Sequence, residues 1–175
     1  SAAWGVYAPP SAKEQRALDA QLGTAAEGGD VAAVVRLAGE GASADAKDEH
    51  GVPAVVRAAQ QGHTEVVEAL LRLGCDPNAP NPGGCTALME AAGNGHGGVV
   101  GALLEHGGAE LDAVDSQGGT ALMWAAMFGR AAVAAQLVEA GADATLRATG
   151  GEWEGKTALE MAEAEGKAEV VALLR

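Results

Sequence analysis

Large side chains are scarce in this chain. Its 175 residues include one Phe, one Tyr and three Trp, too few to fill a single globular core with bulky groups. Cysteine occurs twice, at Cys75 and Cys85, which rules out a disulfide framework and points to a reducing, intracellular compartment. Positive charge is thin as well. Lys and Arg number 11 against 24 Asp and Glu, a formal charge of −13, so a polyanion would be repelled and nucleic acid is not an expected partner. From Leu73 to Gly129 there is no Lys or Arg, while Asp76, Glu90, Glu105, Glu110, Asp112 and Asp115 all fall there. A one-signed field is expected over that stretch, either steering a protein partner with a basic patch or serving only as solubilising surface charge. No apolar run is long enough to span a bilayer. The sequence opens without Met, at Ser1-Ala2-Ala3. Cytoplasm is the expected compartment, or an organelle such as a plastid if a targeting segment has been removed.

What is present in quantity is glycine, 26 residues, together with alanine, and both recur in phase. Ala-Ala followed three residues later by Gly appears at Ala25-Ala26 with Gly29, Ala58-Ala59 with Gly62, Ala91-Ala92 with Gly95 and Ala125-Ala126 with Gly129. The spacing of about 33 residues is a solenoid period. A second set of markers, Gly41, Gly74, Gly107 and Gly141, keeps the same step and ends an apolar segment each time. Within one unit, Thr86 to Ala92 has the spacing of a two-turn helix broken at Asn94-Gly95; Val99, Val100, Leu103 and Leu104 then form a second amphipathic stripe closed by Gly107. Each unit is therefore a helical hairpin, and turns rich in Pro, Asn and Asp such as 76–82 join one hairpin to the next.

These residues resemble the ankyrin repeat. Gly118 to Ala126 and Gly62 to Leu71 are similar to its Gly-x-Thr-Pro-Leu-His-x-Ala-Ala helix followed by a Gly-His-x-x-Val-Val helix, and the likeness covers about residues 13–175. It implies an all-α solenoid of about five helix-turn-helix units: a cap at 13–47, repeats at 48–80, 81–114 and 115–147, and a second cap from 148, preceded by an extended arm at 1–12. Every copy has Ala where the family prefers Pro, Pro53 replaces the Thr of the second unit, and Val56, Met89, Met123 and Glu160 occupy the position of the family's His. Ser11 and Glu14 have capping-box spacing. In the last unit Glu163 replaces the second Ala, a polar change expected where no further repeat covers the surface. Arg175 falls inside the last expected helix, as it would in a chain shortened at that end.

Two motifs suggest an enzyme. Gly150 to Thr157 fits the P-loop pattern after a possible strand at Thr145-Leu146-Arg147, and Gly93 to Gly98 fits G-x-G-x-x-G. Repeat register accounts for the first, since Gly155 and Thr157 occupy the places of Gly84 and Thr86. Glu152 and Glu154 would also oppose a phosphate. The second lies in a turn between helices with no preceding strand. No cofactor, metal site or catalytic residue is expected: His63 and His96 share one repeat position a full unit apart, and Cys75 and Cys85 lack spaced partners. Gly97, Gly98 and Gly101 crowd one helix and should soften the third unit.

The resemblance places a protein partner on the concave face. That face would be built from the turn tips, with Asp48 and Glu49, Asn81, Asp115 and Gln117, and from first-helix positions including Gln60, Cys85, Gly93 and Met127. Met127 and Phe128 stand where other units have Gln60-Gln61 and Gly93-Asn94, and with Trp124 and Trp153 they are expected to form an apolar patch beside an acidic rim. Trp4 and Tyr7 offer a further docking segment in the arm. The expected function is a protein-binding scaffold or adaptor; the alternatives are a permanent subunit of a larger complex docked through the arm and the tips and, least favoured, a nucleotide-binding enzyme.

Overall fold

The computed structural model describes residues 8–106 and 108–175, so Trp4, Tyr7 and Gly107 lie outside the described residues. Among those described are ten α-helices, one 3-10 turn and an isolated bridge between Lys47 and Pro53, with no strand. The helices pair along the chain: α1 (Ala12–Glu27) with α2 (Val31–Gly39), α3 (Ala54–Gln61) with α4 (Thr64–Arg72), α5 (Ala87–Asn94) with α6 (Gly97–His106), α7 (Ala121–Met127) with α8 (Ala131–Glu139), and α9 (Ala158–Ala164) with α10 (Ala168–Leu174). Odd-numbered helices stack in an inner row and even-numbered ones in an outer row, each touching its predecessor and successor. This is the all-α solenoid the repeat period predicts. Thr145-Leu146-Arg147 is not a strand; the Asp143 carboxylate accepts from both the N–H and the hydroxyl of Thr145 and ties the segment into a turn.

Alanine explains how the inner helices stack. Ala58, Ala59, Ala91, Ala92, Ala125 and Ala126 are fully buried, so both members of each pair are covered by neighbouring units. At the ends the pairs become asymmetric. Ala25 is only partly covered while Ala26 is fully buried, and Ala162 is fully buried while Glu163 is exposed and accepts from Arg175 Nη2 at 2.9 Å. The first member of the pair thus faces the preceding unit and the second the following one, which is why a carboxylate is tolerated at Glu163. At the other end Ser11 caps α1, with a reciprocal pair of bonds to Glu14.

Hydrogen bonds between units run through a position other than the one where the family's His is missing. Val56, Met89 and Met123 are buried core, and Met123 Sδ accepts from Thr120 N–H. Pro53 has no N–H that would need such an acceptor. One set of links is made at the start of α4, α6 and α8: His63 Nε2 lies 2.9 Å from the Glu27 carbonyl oxygen, His96 Nε2 3.1 Å from that of Gln60, and Arg130 Nε donates to Gly93 O at 3.0 Å. Both imidazoles must carry the proton on Nε2 to donate. Each acceptor is a carbonyl near the C-terminal end of an inner helix, where intrahelical donors run out.

Gly62 shows why that joint needs glycine. Its φ is +77°, in the left-handed region, and a Cβ there would lie 2.7 Å from His96 Nδ1. Of the three glycines of α6, Gly97 and Gly98 serve close approach too. A methyl on Gly98 would meet Thr64 Oγ1 at 2.9 Å, while Gln136, on α8, lies over Gly97 and Gly101 and donates to Gly97 O at 3.0 Å. Only Gly101 has room, its added carbon meeting Gln136 Nε2 at an ordinary 3.4 Å. Gly101→Ala should therefore stabilise the protein by about 0.5–1 kcal/mol through helix propensity, whereas Gly62→Ala should destabilise it by about 1–3 kcal/mol. Urea midpoints of the two variants are expected to move in opposite directions.

Candidate protein-binding site

The turn tips are built on one side chain each. Asp48 Oδ1 accepts the N–H of His50 and Val52, Asn81 Oδ1 those of Gly83 and Cys85, and Asp115 Oδ1 those of Gln117 and Gly119, at 2.8–3.0 Å. The second carboxylate oxygen of the two aspartates is also engaged. Asp48 Oδ2 accepts from Arg57 Nε at 2.8 Å, and Asp115 Oδ2 accepts from Trp124 Nε1 at 3.0 Å. Asp48 and Asp115 thus hold their own tips, and the exposed members are Glu49 and Gln117. Burial would raise the pKa of Asp48, but the hydrogen bonds from Val52, Arg57 and His50 outweigh it and hold the carboxyl below its usual value.

Arg57, Glu90, Trp124 and Met161 occupy equivalent places on successive inner helices. Along the groove they face, the chemistry passes from cationic through acidic to apolar. Glu90 is half-buried, and burial raises its pKa against the attraction of Arg57. Past Trp124 the groove deepens into a cavity of about 300 Å³ between the tips of the fourth and fifth units and the helices α7 and α9. Trp124, Met127, Trp153, Asp115 and Gln117 all line it, so five residues picked out from the sequence meet around one space.

Phe128 does not join them there. Its ring lies 6.1 Å from that of Trp124, tilted by 43°, and the two cover Gly93 of the preceding unit, where a Cβ would come within 2.9 Å of Trp124 Cε3. Phe128 stays 46 % exposed. The expected single patch is therefore a cavity and a ridge that share Trp124. Cys85 and Gly93, expected on the concave surface, are buried: Cys85 forms part of the core, and Gly93 lies beneath the two rings. Asp48 and Glu49 border a separate hollow with Arg57 and Glu27, against the first unit. Lining residues missed from sequence include Met123, Met161 and Glu152. Met123 stands where the family has His and Met161 falls in the register of Trp124, but neither position is marked in sequence as facing a cavity, which also depends on the longer fifth tip. There the pairing Asp115 N–H to Gly119 O becomes Ala148 N–H to Lys156 O.

That longer tip also shows why its P-loop pattern is not a phosphate cradle. The N–H groups of Gly150, Glu154, Gly155 and Lys156 donate to the carbonyls of Gln117, Gly151, Ala148 and Trp153, and Thr157 N–H donates to the Glu160 carboxylate. Few donors are left for a nucleotide. Gly93 to Gly98 forms the end of α5, a left-handed turn at Gly95 and the start of α6. Both cysteines are free and buried. Burial, reinforced by neighbouring carboxylates, pushes the Cys75 thiol up to about 12 and the Cys85 thiol up to about 11.

Three copies of the family model described as ankyrin repeats match the chain, over residues 22–115, 56–148 and 108–175. No curated protein matches it. Among the described residues no helix is long and apolar enough to cross a membrane.

Asp48→Asn should keep the tip, since Asn81 supports an equivalent one, and lose only the contact with Arg57. Asp48→Ala should cost about 1–2 kcal/mol more than Asp48→Asn, because two N–H groups lose their acceptor. The carboxyl's pKa is lowered on folding, so its contribution is complete above the unfolded value and is lost as pH falls through the folded one. Chemical denaturation of wild type and both variants, at neutral and acidic pH, should show the wild-type advantage over Asp48→Asn shrinking in acid. A thiol reagent at neutral pH is expected to label neither cysteine at an appreciable rate in the native protein and both in denaturant.

Proposed function

The chain belongs to the ankyrin-repeat family, and from that premise we propose that it is a protein-interaction scaffold whose partner lies along the groove of the inner helices and is anchored between the fourth and fifth units. Ankyrin repeats generally mediate protein–protein interaction and are typically interaction scaffolds rather than enzymes. The observation that carries the placement is the cavity at Trp124, Met127 and Trp153. Indole and thioether groups at a concave, partly open position provide the large apolar contact area on which binding energy concentrates. The remainder of the groove is more polar, with Arg57, Gln60 and Glu90 along it, and would set register and orientation.

Met127 is half-buried and lies at the end of α7, so an added charge there falls inside the anchor with little cost to the helix. Met127→Asp should reduce partner recovery in crosslinking or affinity purification by tenfold or more, equivalent to about 1.4 kcal/mol or above. The helical circular dichroism should stay at the wild-type level. Phe128→Asp, on the ridge, is expected to give a smaller loss. Wild-type recovery with both variants would place the partner elsewhere.

A further inference from the structure

The cavity between the fourth and fifth tips has the chemistry of a receptor for one kind of side chain. We propose that it receives a single basic side chain, lysine or arginine, projected by an extended basic segment of the partner protein. The inference rests on the reading of this cavity as the partner's anchor and names what enters it.

Size is the first argument. About 300 Å³ is the lower end of ligand-pocket volumes and suits one long side chain better than a folded element. The lining is the second. Two indoles, Trp124 and Trp153, and the thioethers of Met123, Met127 and Met161 surround the space. An aliphatic stem packs against thioethers, and a cation at its end is attracted by the electron-rich face of an indole more than by any other aromatic ring. Charge is the third. The lining includes Asp115 and Glu152 and no basic residue. Asp115 is held in place by two backbone N–H bonds and the Trp124 indole N–H, none of which cancels its charge with a cation. The arginines that flank this region in sequence are engaged elsewhere: Arg130 Nε donates to Gly93 O, and Arg147 Nη1 donates to Gly155 O and the Glu160 carboxylate. Neither lines the cavity. A neutral apolar side chain would fill the same volume but would leave this negative potential unanswered, in a chain that carries a formal charge of −13.

The test uses the full chain with Trp4→Phe, which leaves Trp124 and Trp153 as the only indoles. Three capped pentapeptides, acetyl-Gly-Gly-X-Gly-Gly-amide with X as lysine, arginine or norleucine, are titrated while the two indole N–H signals are followed by NMR. The expected result is a saturable shift of both signals with the lysine or arginine peptide, about three- to tenfold tighter than norleucine. That preference should weaken with added salt and fall in Glu152→Gln. Trp153→Leu should lower affinity for the cationic peptide more than for the norleucine one. Equal affinity for all three peptides, or a norleucine preference, overturns the cationic assignment while leaving a protein-binding cavity in place. Absence of any indole shift with all three also overturns it, and the scaffold reading itself then stands or falls separately on the Met127→Asp recovery experiment.

Discussion

Consecutive inner helices can lie against one another because the residues between them are alanine. A larger side chain at Ala58, Ala59, Ala91, Ala92, Ala125 or Ala126, all fully buried, would push two units apart, and because each unit touches only its neighbours the displacement could not be absorbed elsewhere. From that spacing follow the rest of the joints. His63, His96 and Arg130 reach back to the preceding unit's carbonyls only because the helices are that close, and glycine at Gly62 is needed because the side chain that reaches back passes over it. The outer helices obey the same constraint at Gly98.

A stack held by small residues on its shared faces leaves the chemistry of the groove positions free to vary. Arg57, Glu90, Trp124 and Met161 are equivalent in space and unrelated in chemistry, while the alanines beside them barely change. Such a fold can change what it binds without changing how it stands. The fourth unit nevertheless couples the two tasks: Trp124 donates to Asp115 in its own tip, covers Gly93 of the unit before it and lines the cavity shared with the unit after it. Its ring orientation is fixed by structural contacts, so the wall it gives to the cavity is preorganised.

The architecture was legible because its determinants are periodic and local. Paired alanines, the glycine that follows them, Ser11 with Glu14, and Glu163 at the far end each carry their meaning within a few residues. The site was legible only in part, since packing between units is not written inside any one of them. Phe128 follows Met127 directly, yet it turns toward Gly93 of the third unit while Met127 turns toward Trp153 of the fifth. That choice is set by the absence of a side chain on Gly93, 35 residues earlier. Likewise Asp115 reads as a free acid at a tip until the indole nine residues on is found bonded to it.

Several carboxylates in and around the acidic middle of the chain also serve as hydrogen-bond acceptors. Asp45 and Asp112 each accept an N–H from the following unit, as Asn78 does, and Asp76 and Asp115 accept N–H groups within their own turns. These carboxylates are structural acceptors. An N–H donor satisfies a carboxylate oxygen without cancelling its charge, unlike a paired cation. Among the described residues the Arg ion pairs are Arg36 with Glu40, Arg57 with Asp48, Arg147 with Glu160 and Arg175 with Glu163, and every member lies outside residues 73–129. Within residues 73–129 the carboxylates that bind the turns together, Asp76, Asp112 and Asp115, have no arginine paired with them, unlike Asp48. An amide such as Asn81 or Asn78 could accept the same bonds, so stability alone does not require charge at Asp76, Asp112 and Asp115. The charge gives the middle of the chain the same sign as Asp115 and Glu152 in the lining of the cavity.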